Sequence, residues 1–212
     1  SEWLRKERDQ LSQNKTLTDG SNIPKKLAFG SDYFYGKSER HAPICSSGNI
    51  PPLSYAIGGL SAGWGAAVLP PHPYDLTDWP VKSKVSSEIF KIIYSNLPYS
   101  AVEDELNINF PIYSESASPL EISSFDRQLL QDLRKLIPAR KDDIVYGQSR
   151  LLVHSPNSYH ANSCQLCGQC MSGCVYDSIY KSNTEILNLS QQGKITYRPN
   201  NLVTRLSSSD GK

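Results

Sequence analysis

The chain has no dominant charge and no long run of one sign: Lys+Arg 22 against Asp+Glu 21 leaves a formal net charge of +1. A nucleic-acid or anionic-membrane binder needs a basic patch or stripe, so neither partner is expected. Long hydrophobic runs are also missing. The longest apolar stretch, Tyr55 to Leu69, is interrupted by four glycines and ends at Pro70-Pro71, whereas a membrane span needs about 20 apolar residues. No membrane span is expected. The opening SEWLRKERDQ is charged and has no apolar signal region, so nothing in it directs the chain to secretion. No internal repeat is present, and no GxGxxG fingerprint joins a strand to a helix.

What is present is ordinary for a globular chain that can bury one good core or two small ones: 212 residues, 38% hydrophobic and 9% aromatic. Four of its five cysteines fall between Cys164 and Cys174, and the fifth, Cys45, would be left over. That is a poor disulfide framework, so reducing, cytoplasmic surroundings are expected.

The first 13 residues, with Trp3, Leu4 and Leu11 among charges, predict a short amphipathic helix before the turn at Asp19-Gly20. From Ile23 to Pro71 the composition predicts loops and short extended pieces. Helices are expected at Ser86–Ser95, with Ile89, Phe90, Ile92 and Ile93 as an apolar side, and at Ser124–Leu136, with Phe125, Leu129, Leu130, Leu133 and Leu136 at helical spacing. A third is expected at Asn183–Ser190, with Gly193 placed as a C-terminal cap. Strands are predicted at Ile195–Arg198 and Leu202–Leu206, the second leading to Asp210-Gly211, a hairpin dipeptide that suggests a chain cut in mid-hairpin. The whole reads as α+β in three stretches: 1–71 with a helix and the Gly-rich loop, 72–150 as a helical substrate or lid insertion, and 151–212 with the cysteine loop, helix and strands.

In CQLCGQCMSGC, Cys164, Cys167, Cys170 and Cys174 are separated by two, two and three residues, the ligand spacing of a bacterial ferredoxin loop. Gly168 and Gly173 would let backbone N–H groups approach the sulfurs. Val175 stands where that run usually has Pro. Three readings stay open: a [4Fe-4S] cluster, tetrahedral zinc on four thiolates, and packed cysteines that are unmetalled or partly disulfide-bonded.

The loop GGLSAGWGAAVLP offers a second site. Adjacent Gly58 and Gly59 permit positive φ and close approach to a flat ligand, Ser61 supplies a hydroxyl, and Trp64 supplies an aromatic wall. The alternative is a Gly-rich turn feeding a buried strand. His154 and His160 flank the stretch before the cysteines and are candidate ligands or bases, although a His in so polar a stretch is usually a surface or hydrogen-bonding residue; His41 and His72 have no better claim. Asp126 with Glu121, or Asp142 with Asp143, could pair as acid and base, but solvated helix ends are the favoured explanation.

In order, these pieces resemble the glucose-methanol-choline (GMC) superfamily of FAD-dependent oxidoreductases, in particular its Cys-rich bacterial members. The resemblance rests on Gly58, Gly59 and Ser61 followed by Trp64-Gly65, on GCVYDSIYKS from Gly173 to Ser182, on TEILNLSQQG, and on Val203 in NNLVTRL. It covers residues 25–70 and 150–206. It implies part of a two-domain FAD-binding and substrate-domain enzyme that oxidises an alcohol by hydride transfer to flavin. Gly58, Gly59, Ser61 and Trp64 would lie at the flavin, and Val203 at the adenine part of FAD. The implied substrates are small alcohols, sugars or sterols, with the electron acceptor open. The family's GxGxxG unit and its active-site His region are not in this sequence, and Leu60 stands where many members have a small residue. No catalytic residue is therefore assigned, and the chain by itself is expected to be inactive.

Overall fold

Leu151 and Leu152 sit where three distant segments converge. In the computed structural model, which describes residues 27–35, 53–79, 83–115, 117–137, 144–156 and 160–207, strand β1 (Tyr99–Ser100) pairs antiparallel with β2 (Leu151–Leu152). The register places Tyr99 opposite Leu152 and Ser100 opposite Leu151. Ala67 bridges to Leu151 and Ile179 to Val153, each antiparallel. The backbone bonds continue the seam: Leu152 N–H to Ala66 carbonyl at 2.9 Å, Tyr180 N–H to Leu152 carbonyl at 2.9 Å, and His154 N–H to Ser178 carbonyl at 3.0 Å. Residues 150–154 thus place the end of the Gly-rich loop and the end of the cysteine loop beside one another.

Among the described residues the apolar interior is small and divided. Tyr94, Tyr99, Ala101 and Leu152 form one cluster, Ala66, Val153 and Ile179 a second, and Ala28, Phe34 and Ala62 a third. Trp64 packs against the first two and ties them together. The rings of Tyr94 and Tyr99 stack at 4.8 Å.

Three helices surround this seam. α1 (Ser83–Ser95) starts before the expected Ser86. It buries Tyr94 and half-buries Phe90, an i,i+4 pair that meets Tyr113. The expected apolar side is corrected on this point: Ile89, Ile92 and Ile93 are exposed, because the buried stripe runs through Phe90 and Tyr94. α2 (Ser124–Leu136) has the predicted span and is capped by Ser123, whose hydroxyl accepts the Asp126 N–H at 3.0 Å. Only Leu130 and Leu133 of its apolar positions are half-buried, and Phe125, Leu129 and Leu136 are exposed. A two-pronged pair from Arg134 to Glu105, at 2.7 and 3.0 Å, anchors its last turn. α3 (Ser182–Gln191) is one residue longer at each end than expected. It ends as predicted at Gly193, where φ is +70°. There Gly193 N–H meets the Ser190 carbonyl and Lys194 N–H the Leu189 carbonyl, the two bonds of a Schellman cap.

The predicted strands at Ile195–Arg198 and Leu202–Leu206 do not form: the segment is irregular, with Val203 and Leu206 exposed. A strand needs a neighbour for its backbone groups, and among the described residues none pairs with this segment. The predicted helix over 1–13 and Cys45 lie outside the described residues. The architecture among the described residues is α+β, three helices and a two-stranded sheet, and no helix there is long and apolar enough to cross a membrane.

Candidate functional site

The Gly-rich loop and the start of α3 form one junction. Gly58, at φ +83°, leads into a single 3-10 turn, Gly59–Ala62. The Ser61 hydroxyl donates to the Gly58 carbonyl at 2.6 Å and accepts the Ser182 N–H at 2.9 Å, so a side chain of the loop caps the first turn of α3. Ser182 Oγ lies 3.2 Å from Ser61 Oγ. Trp64 fixes the same junction by donating its indole N–H to the Tyr180 carbonyl at 2.7 Å. At Gly58 a methyl group would stand 2.6 Å from the Asn183 backbone nitrogen, so the absence of a side chain is what lets the loop touch the helix. At Gly59, where φ is +59°, an added Cβ would meet nothing within 4 Å. That side of the turn is open to a ligand. Asn183 Oδ1 at the junction is buried and has no hydrogen-bond partner.

Of the five residues expected at a flavin, four, Gly58, Gly59, Ser61 and Trp64, belong to this junction. Val203 does not join them and is 73% exposed. Against the expectation that no nucleophile motif is present, the run Gly59-Leu60-Ser61-Ala62-Gly63 has the G-x-S-x-G spacing of a nucleophile elbow. An elbow needs a strand-to-helix turn that leaves the hydroxyl free. Here Ser61 sits in a 3-10 turn and its proton is committed to the Gly58 carbonyl. Its role is to join two segments.

The cysteine loop lies across the seam from this junction. All four thiols are free, Cys167 exposed and the others half-buried. Together with Leu129, Leu130, Leu151 and Val153 they line a cavity of about 810 Å³ between the loop and the N-terminal half of α2. Left-handed backbone at Leu166, Gly168, Gly173 and Asp177 folds the loop back on itself. Gly173 lies under the Phe29 ring, where a Cβ would approach carbon atoms at 3.0 Å, and the Phe29 N–H holds the Ser172 carbonyl at 2.8 Å.

The thiols differ in character. Burial pushes the Cys170 thiol up, and charge on Cys164, Cys167 or Cys174 would push it further. Burial also acts to raise Cys174, but N–H groups of Ser178 and Tyr176 turned toward the sulfur outweigh it, and the thiol is lowered. The Ser178 N–H lies 3.4 Å from Cys174 Sγ. These donors follow the last cysteine, so they are not the glycine N–H groups expected from the sequence. Among the described residues, no three His, Cys, Asp or Glu side chains are gathered so as to hold a metal ion.

The remaining candidates have structural duties. His154 stacks on His160 at 3.7 Å with ring planes 8° apart, and burial followed by His160 lowers the His154 pKa. The His72 ring accepts the Tyr74 N–H and caps the turn Pro73–Leu76. Asp126 accepts the Ser123 hydroxyl at 2.7 Å as part of the α2 cap and is not paired with Glu121 in these bonds. His41, Asp142 and Asp143 lie outside the described residues. What the sequence did not announce is a buried charge pair: Arg150 Nη2 meets Asp104 Oδ1 at 2.8 Å, with side chains 0% and 6% exposed. Arg150 also donates to Asn107 Oδ1 and to the Gln148 carbonyl.

Comparison with protein-family models, curated proteins and solved structures found no match to this chain.

Proposed function

We propose that this chain is part of an FAD-dependent oxidoreductase that oxidises an alcohol carbon, with small alcohols, sugars or sterols as the substrate class. The observation that carries the reading is the bond between Ser61 and Ser182, 121 positions apart. It joins the two segments on which the resemblance to the GMC superfamily rests. Chance similarity in either segment would not require them to touch.

The residues at the junction fit a flat, N–H-bearing ring. Gly59 leaves its face uncovered. Asn183 Oδ1, beneath the junction, is a buried acceptor without a donor, an orphan that costs about 1–3 kcal/mol. Trp64 is held rigid by Tyr180 and so serves as a wall, its only donor being already used. When bound, FAD would take the hydride of the alcohol C–H bond while the hydroxyl proton leaves to a base. This chain's part is to bind and orient the ring; the base lies outside the residues that the resemblance matches.

The test is flavin content of the full-length protein, followed by anaerobic bleaching of the flavin absorbance with a panel of alcohols, sugars and sterols. A yellow protein bleached by one of these classes is the expected result. Gly59→Val should weaken flavin binding by about tenfold or more, equivalent to ~1.4 kcal/mol, by placing a side chain in the open space. Full-length protein that carries no flavin and takes none up would sink the reading.

A further inference from the structure

We propose that Cys164, Cys167, Cys170 and Cys174 hold a cubane iron–sulfur cluster in the cavity they line, with the Ser178 hydroxyl donating to the Cys174 sulfur. Three independent observations meet there. The first is the two, two, three spacing, which suits thiolates that serve one cluster from a contiguous run. The second is that all four thiols, although three are only half-buried and one is exposed, open on one cavity of about 810 Å³.

The third observation is Ser178, which lines the same cavity. It is 1% exposed, yet its Oγ has no hydrogen-bond partner. A buried hydroxyl without a partner is costly, and such a group asks for an acceptor that arrives later. Its own N–H already points at the Cys174 sulfur at 3.4 Å. A metal-bound thiolate is a stronger acceptor than a thiol, so metal binding would complete this bond.

A single zinc ion would need four sulfurs at about 2.3 Å from one point. A cubane instead puts a separate iron under each thiolate and accepts a wider spread of sulfurs. Two ferrous ions, two ferric ions, four sulfides and four thiolates balance as a cluster of net charge minus two, with the four thiol protons released to solvent.

The test is anaerobic reconstitution of the full chain with ferrous and ferric iron and sulfide, followed by iron and acid-labile sulfide analysis and a potentiometric titration read by electron paramagnetic resonance. About four iron and four sulfide per chain are expected. Cys167→Ser, at the exposed thiol where folding is least at risk, should lose most of the iron. Ser178→Ala should keep the iron and shift the midpoint to a more negative potential, since hydrogen bonds to sulfur raise it; Ser178→Thr should restore it. No iron in the wild-type chain, one zinc per chain when zinc competes, or full iron in Cys167→Ser would each overturn the cluster. A loaded Ser178→Ala chain with an unchanged midpoint would overturn the role of Ser178. None of these outcomes depends on flavin content, so this site and the flavin reading fail separately.

Discussion

The Ser61 hydroxyl accepts the backbone N–H of Ser182 at 2.9 Å, across 121 residues of sequence. Helix starts are normally capped by their own N-terminal neighbour, but Lys181, which precedes α3, makes no side-chain cap bond. The cap is therefore supplied by the Gly-rich loop. Loop and helix are bound to each other's geometry, and whatever rests on the loop is positioned by the helix.

Ser61→Ala should consequently behave as the loss of a helix cap, costing ~1 kcal/mol in denaturant unfolding. Because Ser61 also lies 3.2 Å from Ser182 Oγ, Ser61→Ala and Ser182→Ala should be non-additive in a double-mutant cycle. Strict additivity would show that the two hydroxyls act apart and that the junction is looser than described.

The two glycines of the loop should respond differently to alanine. Both have positive φ, +83° at Gly58 and +59° at Gly59, so each substitution carries a backbone cost of ~1 kcal/mol. Gly58→Ala adds a collision at 2.6 Å with the Asn183 backbone, while Gly59→Ala meets nothing. Gly58→Ala should therefore be clearly the more destabilising of the two in thermal unfolding. Equal losses would mean that loop and helix do not pack closely.

The contrast between α2 and the C-terminal segment shows which features were legible in the sequence. The spacing of Phe125 through Leu136 gave the span of α2, and Gly193 gave the end of α3, because both signals act within a few residues of themselves. The span did not reveal which apolar positions would be covered: Leu130 and Leu133 are half-buried, Phe125 and Leu136 are exposed. Alternating residues around Tyr197 and Val203 read as strands, yet a strand exists only if a partner accepts its backbone groups, and local pattern carries no information about partners. For the same reason the four cysteines stood out by spacing, while Ser182 and the Asp104–Arg150 pair did not. Their roles depend on contacts spanning tens of residues, with no periodicity to betray them.

The Asp104–Arg150 pair should be the most sensitive polar site in the fold. Asp104 also accepts the N–H groups of Leu106 at 3.1 Å and Gln148 at 2.7 Å, so it ties residues 104–106 to residues 148–150. Removing one partner leaves the other charge buried alone, a loss of ~3–5 kcal/mol. Asp104→Asn and Arg150→Met should each destabilise by about that much in urea unfolding. Changing both to apolar residues should recover part of the loss, and failure to recover any would place the cost in the other bonds.

Tyr99 should show the opposite behaviour, a substitution that stabilises. Its hydroxyl is buried and without a partner, on a side chain 3% exposed. Tyr99→Phe removes an unsatisfied group whose burial costs ~1–3 kcal/mol while keeping the ring stack with Tyr94, so the unfolding midpoint should rise. The hydroxyl's ionisation gives a second check. Burial, followed by the neighbouring Tyr94, raises its pKa from 10.0 to about 12, against a smaller lowering by Arg150. A raised folded pKa means that the neutral form is favoured in the native state. That contribution is whole below about pH 10, where an unfolded tyrosine begins to ionise, and is lost as pH rises toward about 12. Stability of the wild-type chain should therefore fall across this alkaline window more steeply than that of Tyr99→Phe. The tyrosinate absorbance of Tyr99, taken as the difference between the two proteins, should appear near the upper end of the window. If Tyr99→Phe is less stable at neutral pH and the two alkaline profiles are parallel, the hydroxyl has a partner in solution.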